Sequence, residues 1–155
     1  DIQQRDDAMR ETLKHVRRVG DLVNQMAYEL NSRAVHHDAS KFSPEEFELF
    51  AEATPRLKGL TYGSPEYKAS LESIKPAIEH HNANNSHHPE FYPCGIADMT
   101  LLDLMEMLCD WKAATERHAD GSLKKSLLHN KDRFGISPQV WQILWNTAER
   151  NGWIE

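Results

Sequence analysis

The sequence predicts an all-α fold, a single domain over residues 1–155 built as a helical bundle of about seven helices, and three observations carry that prediction. No segment alternates apolar and polar residues with period two, so no half-buried strand is indicated. Apolar residues recur instead at three- and four-residue spacing in several long windows. Helix-start devices stand between those windows, at Ser43-Pro44, Ser64-Pro65, Thr100 with Asp103, and Ser137-Pro138.

The first helix is expected from about Asp6 to Asn31, where Leu13, Val16, Val23, Met26, Ala27 and Leu30 form one stripe for burial. A short second helix covers Ser32 to Ser40 and ends near Lys41-Phe42, because Ser43-Pro44-Glu45-Glu46 is a fresh start. There Ser43 caps, Pro44 takes the first helical position and Glu46 closes the capping box. Thr54-Pro55 breaks this third helix, and Ser64-Pro65-Glu66 opens a fourth running towards His81, with a kink or restart at Pro76. Asn82 to Gly95 has no period and reads as a loop of about 14 residues, long enough to suggest a functional role. Thr100 then caps a helix with Leu101, Leu104, Met105, Leu108 and Trp111 on one side, ended by Asp120-Gly121. Two more follow, Ser122 to about Lys131 and Val140 to about Asn151, the last turning Val140, Ile143, Leu144 and Thr147 to the core. The four tryptophans, Trp111, Trp141, Trp145 and Trp153, and the methionines Met99, Met105 and Met107 read as packing residues.

Composition narrows function. At 155 residues and 39% hydrophobic the chain can build one core, and a formal net charge of −6 argues against non-specific nucleic-acid binding. No apolar run approaches the roughly 18–20 residues that span a bilayer, and the amino terminus has neither a basic nor an apolar targeting region. Cys94 and Cys109 form no disulfide or zinc framework, which fits a reducing compartment; a cytoplasmic location is expected. The anomaly is histidine. There are nine, including the adjacent pairs His36-His37, His80-His81 and His87-His88.

Imidazole nitrogen and carboxylate oxygen at His37-Asp38 together suit a divalent ion of the Mn to Zn series. Neighbouring helical side chains diverge by about 100°, so both reach one ion only at a helix end, with further donors from elsewhere. His15 lies beside the apolar stripe of the first helix, where an unpartnered imidazole would be costly. Asp103, Glu106 and Asp110 share one face of a later helix, and one of them could project inward.

Taken in order, His15, His37-Asp38, His81, His87-His88 and Asp110 resemble the HD-domain superfamily of metal-dependent phosphohydrolases. The phrases His37-Asp38-Ala39-Ser40-Lys41, His81 to Glu90 and Glu106 to Thr115 resemble more closely a family of small uncharacterised bacterial and phage proteins, over roughly Thr12 to Asn146. The resemblance implies an HD-like helical fold in which His15, His37, Asp38, His81, His87, His88 and Asp110 hold one or two divalent metal ions, Mn, Fe, Co, Ni or Zn, with Mg as a further option. His80 competes with His81, His87 with His88, and Asp103 with Asp110. Asp110 is favoured because Asp-Trp-Lys resembles the closing region of the superfamily motif, whereas Asp103 suits a capping box. The implied reaction is hydrolysis of a phosphate ester of a small phosphorylated metabolite, a nucleotide first. Asp38, Lys41 and Glu90 are the candidate catalytic groups, and Lys41, Asn84 and Lys112 the candidate substrate contacts. Arg117, Asn85 and Tyr92 are weaker candidates, and Tyr62 and Tyr67 could stack on a base.

Plainer roles compete. His36, His118 and His129 fit surface positions, Lys41 could simply complement a helix C-terminus, and Asp103 and Glu106 could form a solvated helix face. The rival function is a non-catalytic metal-binding helical interaction module. Exposed tryptophan on a helical face would also suit a homo-oligomer.

Overall fold

The computed structural model describes residues 1–61, 63–117 and 119–154, so Tyr62 and His118, with the roles expected of them, lie outside the described residues. Among the described residues there are seven α-helices and no strand, as the spacing of apolar residues predicts. The chain is described as two compact units, Asp1–His36 and His37–Glu155.

The first unit is one helix, α1 (Ile2–His36), 35 residues long. It replaces the first two expected helices. Nothing at Asn31-Ser32 breaks the backbone, and no proline occurs before Pro44, so the helix runs on. None of its residues is buried, and Leu13, Val16 and Val23 are each more than half exposed. The expected burial of this stripe is therefore corrected: periodicity identifies which face is apolar, not whether a surface covers it.

The second unit follows with a 3₁₀ turn at Ala39–Phe42, α2 (Pro44–Lys58), α3 (Pro65–Ser73), α4 (Lys75–Asn84), 3₁₀ turns at Pro89–Phe91 and Gly95–Asp98, α5 (Leu101–Thr115), α6 (Leu123–Arg133) and α7 (Pro138–Arg150). Three of the four start devices, at Ser64, Thr100 and Ser137, act as local chemistry dictates, and Ser43 makes no side-chain cap bond. Ser64 accepts a hydrogen bond from the Tyr67 backbone N–H at 3.1 Å, and Thr100 with Asp103 completes a reciprocal capping box. Two expectations fail. Pro55 sits inside α2 without ending it, and α5 stops at Thr115, short of Asp120-Gly121. Pro76 does cause a restart: Ile74, outside the helical region at φ −112°, separates α3 from α4, and Pro76 lies in the first turn, where its missing N–H has no intrahelical partner to lose. The expected loop after Asn82 is shorter than read, since α4 continues to Asn84 and both 3₁₀ turns lie in or next to it.

The main core joins α5, α6 and α7 through Met107, Leu108, Leu123, Leu127, Ile136, Leu144 and Ala148, with all four tryptophans packed against it. On α5 the inward face is Leu102, Asp103, Met107 and Leu108, while Leu101 and Met105 are exposed. On α7 Ile143 is likewise exposed. A smaller contact joins α2 to α4, with Ala53, Ile74 and Ala77 fully buried. That contact sets the amino-terminal end of α2 beside the carboxyl-terminal half of α4, where two histidines lie.

Candidate metal centre

The site begins where α1 stops. Asp38 adopts the left-handed conformation, φ 55°, a region that costs most L-residues roughly 1–2 kcal/mol and that Asp tolerates better than most. This reversal answers the divergence problem of adjacent helical side chains. His37 and Asp38 lie outside the helix, and both reach the same group of residues.

Two sets of donors result. Asp38, His81, His87 and His88 each offer an atom, as do His37, His87 and Asp110, and within each set these atoms all lie within 4.8 Å of one another. His87 belongs to both. The Nε2 atoms of His81 and His87 stand 3.2 and 3.3 Å from Asp38 Oδ1. His37 Nε2 lies 3.6 Å from Asp38 Oδ2 and from Asp110 Oδ1, and His87 Nε2 is 3.9 Å from Asp110 Oδ2. α4 supplies His81, the segment before the Pro89 turn supplies His87 and His88, and α5 supplies Asp110.

The far sides of the rings are anchored by carboxylates. His81 Nδ1 lies 2.9 Å from Glu46 Oε2 and His80 Nδ1 2.7 Å from Glu46 Oε1, and Glu46 is completely buried. His37 Nδ1 and His87 Nδ1 lie 2.9 and 3.2 Å from Glu106 Oε1. Asn85 donates to Ser40 Oγ and to the His81 carbonyl, tying the end of α4 to the Ala39–Phe42 turn.

Electrostatics follow from this crowding. The Asp110 carboxylate, with Glu106 and Asp38, pushes the His37 imidazole up to about 9 against the opposing effect of burial. Burial, then the neighbouring His87 and His81 rings, bring His88 down to about 4. Burial alone would raise Asp38 and Asp110. Asp38 is instead held well below the usual carboxylate range by His81, His87 and Lys41, and Asp110 is lowered by His37.

A divalent cation fits these donors. Asp38 Oδ1, His87 Nε2 and His88 Nε2 are buried atoms that make no hydrogen bond, although buried polar atoms are ordinarily satisfied. Unpaired carboxylate oxygen and imidazole nitrogen lone pairs converging on one point are what such an ion requires. The described His and Asp groups could therefore hold a metal ion.

Of the residues expected at the site, the fold brings together His37, Asp38, His81, His87, His88 and Asp110. Lys41 is also present, its Nζ 2.6 Å from Asp38 Oδ2 and lying over the Phe50 ring. His15 is exposed on α1, and neither donor set includes it. Glu90 pairs with Arg133 at 2.9 Å, Lys112 pairs with Glu116 at 2.9 Å, and Asn84 donates to the carbonyl of His80. Lys112 also lines a cavity of about 510 Å³ with Ser122, Lys124 and Trp153, to which no residue of the donor sets contributes. His36 and His129 are exposed, as expected. His80 faces Glu46 and is in neither donor set. Asp103 is fully buried and accepts from Ser86, Tyr92 and Thr100, so it serves the capping box but is no solvated residue.

Two residues of the site escaped the sequence. Glu46 is read there as the closing member of a capping box, but Ser43 makes no side-chain cap bond and the carboxylate turns to His80 and His81. Glu106 is read as solvated, yet its side chain is largely covered and bonded to His37. The available signal was slight: a histidine whose Nε2 binds metal usually hands Nδ1–H to a carboxylate, so ligand histidines imply acidic partners somewhere in the chain.

The sequence matches the family described as "Family of unknown function (DUF5662)" over residues 4–150. No curated protein and no solved structure gives a significant match.

Proposed function

The chain belongs to that family of unknown function, and we propose that it is a metal-dependent phosphohydrolase of the HD type acting on a small phosphorylated metabolite, a nucleotide first. The observation that carries the proposal is the convergence of Asp38 Oδ1, His87 Nε2 and His88 Nε2, three buried atoms without hydrogen-bond partners. The choice of phosphate ester as substrate comes from the resemblance of the His37-Asp38, His81, His87-His88 and Asp110 series to that superfamily.

Asp38, His81, His87 and His88 would hold an ion, or His37, His87 and Asp110 would, since the single Nε2 lone pair of His87 serves one ion at a time. A bound divalent ion supplies Lewis acidity, which acidifies water and offsets negative charge on phosphoryl oxygens. The chain adds its own charge through Lys41, the cation in contact with Asp38. Its ammonium can turn from that carboxylate to a substrate oxygen and orient the phosphate. Glu90 and Lys112, engaged by Arg133 and Glu116, receive no role here.

Metal analysis of the purified chain, followed by phosphate release from a nucleotide panel with Mn²⁺, Co²⁺, Ni²⁺ or Mg²⁺, tests the proposal. Bound metal and metal-stimulated release, both lost in His87→Ala, are the expected results. Absence of both across the panel removes it.

One observation favours a second function, a non-catalytic metal-binding module. Asp38, His81, His87 and His88 are four donors, enough to close a tetrahedral shell without room for water. A structural ion would make the melting temperature collapse under chelator in a chain without turnover. A catalytic one would leave folding mostly intact while activity disappears.

A further inference from the structure

We infer that Glu46 and Glu106 are positioning residues that place the Nδ1 proton of the ligand histidines and thereby hold each Nε2 lone pair towards the ion. This rests on the metal-centre proposal and adds to it the groups that select the metal-binding nitrogen.

An ionised carboxylate has only acceptor sites, so once an ion takes Nε2 of a ring, an Nδ1 in hydrogen-bond contact with a carboxylate is the nitrogen that carries the proton. Glu46 applies this twice. Both its oxygens are engaged, one by His80 Nδ1 and the other by His81 Nδ1, in a position with no solvent exposure. Glu106 does the same from α5, where one oxygen faces Nδ1 of His37 and of His87. With a proton fixed on Nδ1, the opposite nitrogen is the one that binds an ion, which displaces any proton found there. Those nitrogens, Nε2 of His37, His81 and His87, are the ones turned towards Asp38 and Asp110. His88 lacks such a backing carboxylate among the described contacts, and its ring packs instead against those of His81 and His87.

The two glutamates hold different pairs. Glu46, at the start of α2, acts on α4, and Glu106, one turn before Asp110 on α5, acts on the segments carrying His37 and His87. Loss of either should disorder part of the donor set while leaving the ligands themselves in the chain.

Two measurements on the full-length chain test this. The first is the ¹⁵N spectrum of the Zn²⁺-loaded wild type, in which His81 and His87 each keep one proton. That proton is expected on Nδ1 in both rings, the reverse of the usual preference in water, and it should move to Nε2 for His81 in Glu46→Ala. A proton on Nε2 in the wild type overturns the inference without any variant having to fold. The second is competition of Co²⁺ and Zn²⁺ against a chromophoric chelator. Glu46→Ala and Glu106→Ala should bind each ion about 10–100-fold more weakly, and Glu46→Gln should fall between, because an amide oxygen can accept from only one of the His80–His81 pair. If the wild type binds and the alanine variants bind within twofold of it, the positioning role is lost and the metal centre stands. If the wild type binds neither ion, the metal centre and the role built on it both fall.

Discussion

Lys41 and Asp38 share one carboxylate edge: Lys41 Nζ lies 2.6 Å from Asp38 Oδ2, while Asp38 Oδ1 faces the Nε2 atoms of His81 and His87. The carboxylate is divided between a cation of the chain and the interior of the donor set. A divalent ion at that interior would meet repulsion from the ammonium nearby, and a phosphate would meet attraction. Metal affinity and phosphate turnover should therefore respond in opposite directions when the ammonium is removed.

Lys41→Met is the variant that separates them. Loss of one positive charge at this distance, partly screened by solvent, should leave divalent-metal affinity unchanged or raise it by up to about tenfold. Phosphate release should fall by roughly 10²-fold, as when a donor to a developing oxyanion is lost. Titration calorimetry with Mn²⁺ and a phosphate-release assay read the two effects. Weaker metal binding with unchanged turnover would assign Lys41 to holding the turn.

Asp38 combines a donor atom with an unusual backbone, and two substitutions divide those properties. Asp38→Asn keeps a side chain that tolerates φ 55° but loses the charge, so metal content should fall to background and the metal-free chain should lose only what the carboxylate's contacts with Lys41, His81 and His87 contribute. Asp38→Val should lose the metal and also cost about 1–2 kcal/mol of folding stability, because a β-branched residue is strained in that conformation. Chemical denaturation of the metal-free proteins measures the difference.

His87 is the residue common to both donor sets. His87→Ala should weaken divalent-metal binding at least tenfold more than His88→Ala or His37→Ala, each of which leaves one set whole. Equal losses in all three variants would mean that the sets act as a single inseparable site.

Local chemistry was legible in the sequence and distant chemistry mostly was not. Ser64-Pro65 and the Thr100–Asp103 box involve residues three apart, so the pattern contains the interaction. Glu46 fits a capping box equally well, but its partners His80 and His81 lie 34 and 35 positions away. Glu106 reaches back 69 positions to His37, a contact that no local period records. The order of histidines and aspartates suggested which ligands meet, and the left-handed turn at Asp38 explains how two adjacent ones can. The misread face of α5 has a specific cause. On α5 the buried Asp103 rotates the inward side to Leu102, Asp103 and Met107, whereas hydrophobicity alone points to Leu101 and Met105. A buried carboxylate is invisible to an apolar stripe.

That same Asp103 contributes to the acid sensitivity of the fold, alongside Asp38, Asp110 and Glu46. Its oxygens accept from Ser86 Oγ at 2.7 Å, Tyr92 Oη at 2.8 Å and the Thr100 backbone N–H at 2.8 Å, so one carboxylate ties α5 to the segment that carries His87 and His88. Burial works against its charge, but the Thr100, Ser86 and Tyr92 donors prevail and hold the group well below its ordinary 3.8. A carboxylate with a depressed folded value contributes stability above the unfolded value, and loses it as pH falls through the folded one. Wild-type stability should accordingly decline from about pH 4 downward. Asp103→Ala should remove about 3 kcal/mol at neutral pH, since three donors lose a charged acceptor, and should flatten that part of the acid decline. Denaturation of the metal-free chain at a series of pH values checks both effects. An unchanged acid slope in the variant would show that another carboxylate controls it, and retained stability at neutral pH would mean that Ser86, Tyr92 and Thr100 find other acceptors.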